Sequence, residues 1–202
     1  MRTLISFPII HTEHDMGSLL GQLKQQYVAR YGHEKWVEHL EWIEASWKEI
    51  HRMITELNLP YGSVRLYQDG LPECGRESDI VREVAARGSR NYQLLAELME
   101  RGARLMGTED PQLLLEEYQT LREELRGQQN PDQETRRREH SQALLRERDR
   151  FIALRINSTL RTGETGLLFL GMAHSLEPLL DADILVRRML PPRPGSRERA
   201  VT

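Results

Sequence analysis

Two histidine-bearing turns are the places where this chain has the means to do chemistry. Pro8-Ile9-Ile10-His11 ends an apolar run near the N-terminus, and Gly171-Met172-Ala173-His174 ends another near the C-terminus. Imidazole exchanges protons near neutral pH and ligates transition metals. Carboxylates stand at comparable points: Glu13 and Asp15 beside His11 and His14, Asp69 and Glu73 beyond Tyr67, and Glu109-Asp110 beyond Met106. A histidine paired with a carboxylate can move a proton to or from water. Two imidazoles and a carboxylate can instead hold a divalent ion and leave positions open for water. Each residue also has a plainer role. Glu109 and Asp110 precede Pro111 and suit a helix N-terminus. His174 suits a cap or a bond to a backbone carbonyl. Cys74 has no histidine beside it to activate it.

The elements that must position these residues alternate between strand and helix character. Thr3 to Ile10 is a nearly continuous apolar run, as expected of a strand buried on both faces. Ser63–Tyr67, Ala103–Met106, Gly166–Leu170 and Asp183–Leu190 read as four more. Between them, Trp36, Leu40, Ile43, Trp47, Ile50, Ile54 and Leu57 recur at spacings of three and four, an amphipathic stripe with Trp36 and Trp47 in its buried side. Leu19, Leu23 and Tyr27 form a shorter stripe before a break near Gly32. One helix is expected from about Ser78 to Arg101, closed by Gly102. Another follows Pro111 with Thr108 or Asp110 as its cap, a charged one runs from about Gln133 to Leu160, and a short one covers Ala173–Leu180. His33, His39, His51 and His140 fall on helices and read as surface residues. The fold class is therefore α/β: a mostly parallel sheet of about five strands covered by helices, with a long helical insertion. Residues 1–190 read as a single domain with a helical middle, and residues 191–202 as a disordered proline-rich charged tail.

Bulk properties narrow the function classes. With 202 residues the chain can bury a sizeable core, and its 39% apolar and 29% charged content is that of an ordinary soluble domain. A net charge of -3 gives no basic face for nucleic acid. One cysteine allows neither an intrachain disulfide nor a paired-cysteine metal site. It fits a reducing compartment, and the expected location is the cytoplasm. No apolar run approaches membrane-spanning length, and the N-terminus reads as a strand rather than a signal segment. The expected partners are a small-molecule or peptide substrate, neither nucleic acid nor membrane, and a second copy meeting through the helical middle.

In an open parallel sheet, ligands bind where the strands end. That rule puts His11 or His14, the Glu109 loop and His174 on one rim. A resemblance sharpens this. Arg148-Asp149-Arg150-Phe151-Ile152-Ala153-Leu154-Arg155-Ile156, followed by an apolar strand and Gly171-Met172-Ala173-His174-Ser175-Leu176, resembles the carboxyl half of the TraB/TIKI, ChaN-like and erythromycin-esterase-like superfamily. There, a helix starting Arg-Asp or Arg-Asn precedes a strand ending in Gly-x-x-His. Pro8-Ile9-Ile10-His11 resembles that superfamily's first Gly-x-x-His, with proline for glycine. Glu13-His14-Asp15 is similar to the Glu-x-His-Asp of the ChaN-like branch with one residue fewer, so either His11 or His14 can be the counterpart. The resemblance covers the two ends of the chain. It implies an α/β core with a helical insertion and a hydrolase, metal-assisted or histidine- and carboxylate-dependent, that cleaves an ester or amide. The rival it leaves open is a non-catalytic protein binding a small ligand or heme. The catalytic residues it implies are His11, Glu109, Arg148 and His174. The metal ligands it implies are His11, His14, Glu109 and His174, for zinc, manganese or cobalt, with heme as the alternative cofactor. Arg148 would stabilise an oxyanion or hold a substrate carboxylate.

Overall fold

The computed structural model describes residues 1–10, 20–126 and 131–190. His11, Glu13, His14, Asp15 and the segment from Pro191 lie outside the described residues. Five strands form one sheet: β1 (Arg2–Ile9), β2 (Val64–Gln68), β3 (Arg104–Met106), β4 (Thr165–Gly171) and β5 (Ile184–Arg188), in the order β3-β2-β4-β1-β5. Every neighbouring pair is parallel. The α/β fold expected from the alternation is the one observed. The helices are α1 (Leu20–Tyr31), α2 (His33–Glu56), α3 (Glu77–Ala86), α4 (Arg90–Glu100), α5 (Pro111–Arg126) and α6 (Pro131–Thr159).

The continuous apolar strands are explained by two cores, one on each face. Ile5, Phe7 and Ile9 of β1, Leu66 of β2 and Phe169 of β4 pack under α2, α3 and α4. Leu4, Tyr67, Leu168 and Leu170 face the other way, against Ile152 and Ile156 of α6 and Leu160 just beyond it. The α2 stripe behaves as its spacing requires. Trp36, Ile43, Trp47, Ile50 and Ile54 are buried, and the Trp47 Nε1–H donates to the Ile10 carbonyl at 3.2 Å.

Two local expectations are corrected. The helix expected from Ser78 to Arg101 is two helices. Gly88 takes a φ of 102°, a left-handed conformation that suits glycine, and the Ser89 hydroxyl caps α4 by accepting the Tyr92 N–H. The helix expected over Ala173–Leu180 is only a 3₁₀ turn at Glu177–Leu179. Pro178 brings no N–H to that segment. The Ser175 N–H is already committed to the Asp149 carboxylate at 3.1 Å.

The helix that delivers the candidate residues is α6. It leads into β4, so it runs back along the sheet, and Leu160 just beyond it packs near Gly166 at the start of β4. Twelve residues of helix back from Leu160 climb about 18 Å at 1.5 Å each. Five residues of strand from Gly166 to Gly171 climb about 16 Å. Arg148 and Asp149 therefore arrive at the height where β4 ends. The ion pair between Glu117 and Arg148 and the bond from Ser141 to Glu124 show α5 and α6 running antiparallel as a hairpin.

Candidate active site

At the carboxyl edge of the sheet, Asp69, Glu109, Arg148, Asp149 and His174 converge. Asp69 is the first residue past β2. Its backbone N–H continues the ladder to Phe169 O at 2.9 Å, and its side-chain Oδ2 accepts the Gly171 N–H at 2.9 Å. Glu109 is brought beside it because the loops after β2 and β3 stay zipped together. Leu71 O accepts from both Thr108 N and Glu109 N, and the Glu73 N–H donates to Glu109 O at 2.8 Å. The approach is close enough that a Cβ on Gly107 would stand 2.6 Å from the Glu73 Cα. Asp110 is the helix cap, its Oδ1 accepting from Gln112 N and Leu113 N. The sequence pair thus divides its labour: Asp110 caps α5, and Glu109 is fully buried in the site.

Arg148 is buried between the carboxylates rather than lying on the helix surface. Its Nε–H donates to Glu109 Oε2 at 3.0 Å, and its Nη2 group donates to Glu109 Oε1 at 2.6 Å and Asp69 Oδ1 at 2.8 Å. Nη1 pairs with the half-exposed Glu117. Four of the five guanidinium N–H groups are thereby used. The neighbouring residue on the helix, Asp149, takes His174 instead, with its Oδ1 2.6 Å from Nδ1. The opposite ring nitrogen, Nε2, faces Asp69 Oδ2 at 3.6 Å. The imidazole is only 4% exposed.

The charge balance explains how this cluster titrates. Three buried carboxylates (Asp69, Glu109 and Asp149) surround one buried guanidinium, an excess of negative charge that favours bound protons. Burial works to lower the His174 pKa, but Asp69 and then Asp149 outweigh it, and the ring is held above its usual 6.5. Burial pushes the Glu109 carboxyl up, the Asp69 charge adds to this, and Arg148 only partly offsets them. Burial also works against charge on Arg148, yet Glu109 and its other carboxylate partners hold it above its ordinary range.

Of the residues expected to act, Glu109, Arg148 and His174 are brought together, and His11 and His14 lie outside the described residues. Asp69 was visible only as one of several carboxylates after a strand. Asp149 was visible only as the residue next to Arg148. Glu117 carried no signal beyond its place on the polar side of α5. No family model, curated protein or solved structure matches the chain. Among the described residues, no helix is long and apolar enough to cross a membrane.

Proposed function

We propose that the chain is a hydrolase akin to the TraB/TIKI, ChaN-like and erythromycin-esterase-like superfamily, cleaving an ester or amide by proton transfer through His174. The observation that carries this reading is an imidazole fixed by Asp149 at one nitrogen and facing Asp69 with the other. Two of the segments that carry the family resemblance, the Arg148-Asp149 helix and the Gly171–His174 turn, meet there. In its neutral form His174 takes a proton from water through Nε2 while the water oxygen bonds to the substrate carbonyl carbon. The ester C–O or amide C–N bond then breaks, and the imidazolium returns the proton to the leaving oxygen or nitrogen. Asp149 fixes the ring orientation and stabilises the imidazolium. Arg148 acts as a positioning residue that holds Asp69 and Glu109 in place.

A divalent ion fits this cluster less well. Donor atoms of Asp69, Glu109 and His174 do lie within 4.8 Å of one another. However, Arg148 donates to both Glu109 oxygens and to Asp69 Oδ1, so an ion would compete with a fixed positive charge for the same lone pairs. Heme is disfavoured because the His174 ring is only 4% exposed, too enclosed to meet a macrocycle.

The test is hydrolysis of p-nitrophenyl esters and anilides by the full chain, with and without a chelator. The expected result is chelator-insensitive turnover that falls about 10²- to 10⁴-fold in His174→Ala. Turnover unchanged in His174→Ala, or no turnover on any member of the panel, overturns the proposal. Turnover that requires added zinc, manganese or cobalt overturns its metal-free form.

A further inference from the structure

Alongside His174, the α6-side face of the sheet carries a recess that the hydrolytic chemistry does not use. It arises from a mismatch in side-chain size across the strand register. Ser6 of β1 lies opposite Leu168 of β4 on one side and Arg188 of β5 on the other, and Pro8 lies opposite Leu170. β1 thus has two short side chains beside the longer ones of its neighbours, and a trough runs along it toward the carboxyl edge. Leu176 and Leu180, from the segment just after His174, form another wall. The recess holds about 250 Å³ and reaches His174 and Gly171. Its lining is aliphatic apart from Ser6, His174 and an ion pair between Arg188 and Glu177. Two of the most exposed apolar residues among those described, Met172 at 72% and Leu190 at 71%, also line it.

We infer that this trough is an acyl subsite, binding the short aliphatic acyl group of an ester or amide whose carbonyl lies at His174. The inference rests on the hydrolase reading above and names its substrate class. Three features argue for this occupant. The trough reaches His174, so a group seated in it lies beside the imidazole. Its walls hold no Phe, Tyr or Trp and offer an alkyl chain mainly aliphatic contact. Its volume falls just below the roughly 300–1,000 Å³ usual for small-molecule sites, which suits a short chain. Ser6 is the specificity-determining position, because a larger side chain there fills the trough from β1, a strand that carries none of Asp69, Arg148, Asp149 or His174.

Two measurements on the full chain test this. In the first, butanoate, hexanoate and octanoate are titrated while methyl resonances of Leu168, Leu170 and Val186 are followed by NMR. In the second, kcat/KM is compared for p-nitrophenyl acetate, butyrate and hexanoate. The expected result is alkanoate-dependent shifts at those methyls and a kcat/KM gain of up to about fourfold per added methylene. Both should be lost in Ser6→Leu while turnover of the acetate ester is kept. Ser6→Val, a smaller change, should shorten the preferred chain and guards against misfolding of the leucine variant. Alkanoate binding without hydrolysis supports the trough and removes the hydrolase reading. Hydrolysis without chain-length dependence, unchanged in both Ser6 variants, removes the trough and leaves the hydrolase reading. Methyl contacts to Ala200 or Val201 would make the chain's own C-terminal segment the occupant, and shifts that depend on protein concentration would make it a second copy. Either outcome overturns the inference.

Discussion

Gly171 should not tolerate even a methyl group, for a reason specific to the site. An alanine Cβ at this position would stand 2.8 Å from Asp69 Oδ2, the atom that accepts the Gly171 N–H at 2.9 Å. The conflict is spatial, since a positive φ is not what this glycine supplies. The carboxylate must retreat, and it is the same carboxylate that pairs with Arg148 at 2.8 Å and faces His174 at 3.6 Å. Losing one hydrogen bond to a charged group costs about 1.5–3 kcal/mol. Complete disruption of a buried ion pair costs about 3–5 kcal/mol. Partial displacement should fall between, so Gly171→Ala is expected to lose about 2–4 kcal/mol in urea denaturation. Because Asp69 is the strongest influence raising the His174 pKa, the imidazole should also titrate lower, as followed by NMR. Gly166→Ala is the control. Its Cβ would meet Leu4 and Tyr67 in the core, so it should cost stability and leave His174 unmoved. A Gly171→Ala loss below about 1 kcal/mol, with an unchanged His174 titration, would refute the argument that this glycine exists to admit Asp69.

Three further outcomes follow from the same contacts. His174 is raised above 6.5 in the folded chain, so the stability it contributes is full below about pH 6.5 and lost as pH rises through the folded value. Urea midpoints from pH 6 to 9 should fall by at most about 1.4 kcal/mol per unit, and His174→Gln should flatten the profile; a rise over this window would contradict it. Arg148→Ala leaves Glu109 and Asp69 buried without their guanidinium and should cost about 3–5 kcal/mol, whereas Arg148→Met with Glu109→Gln should recover part of that. Equal losses in the single and double variants would show that the carboxylate charge is not what Arg148 answers. Trp47→Ala removes a ring that is 4% exposed beside Phe169 and should cost about 3–5 kcal/mol; a loss under about 1 kcal/mol would mean that the α2 stripe is not a core face.

The architecture was legible because burial leaves a periodic trace. Strands covered on both faces read as apolar runs, and the α2 stripe reads as spacings of three and four. The break at Gly88-Ser89 was harder to see because Val81, Val84, Leu94 and Leu98 keep helical character on both sides of it. The missing helix after His174 was hidden because a distant residue, Asp149, decides the fate of the Ser175 N–H. The site was legible only in part, for a related reason. A buried cluster carboxylate and a helix-capping carboxylate are the same residue type at the same kind of position, as Glu109 and Asp110 show. What separates them is which way each side chain leaves a loop whose course is set by the Leu71 carbonyl, distant in sequence but hydrogen-bonded to that loop in the fold.

The pairing of Arg148 with Asp149 gives the clearest account of why the site has this form. Adjacent residues on a helix point about 100° apart, so two neighbours cannot serve one partner. Here the divergence is used: Arg148 reaches across toward β2 and β3 to collect Asp69 and Glu109, and Asp149 reaches the turn beyond β4 to collect His174 and the Ser175 N–H. Three separate segments of the chain are thereby fixed by two consecutive side chains. Asp69 closes the circuit, since it touches Arg148, Gly171 and the far side of the imidazole. Displacing any one member therefore changes the field at His174, which is why substitutions at Gly171 or Arg148 are expected to alter the titration of a ring they do not directly hold.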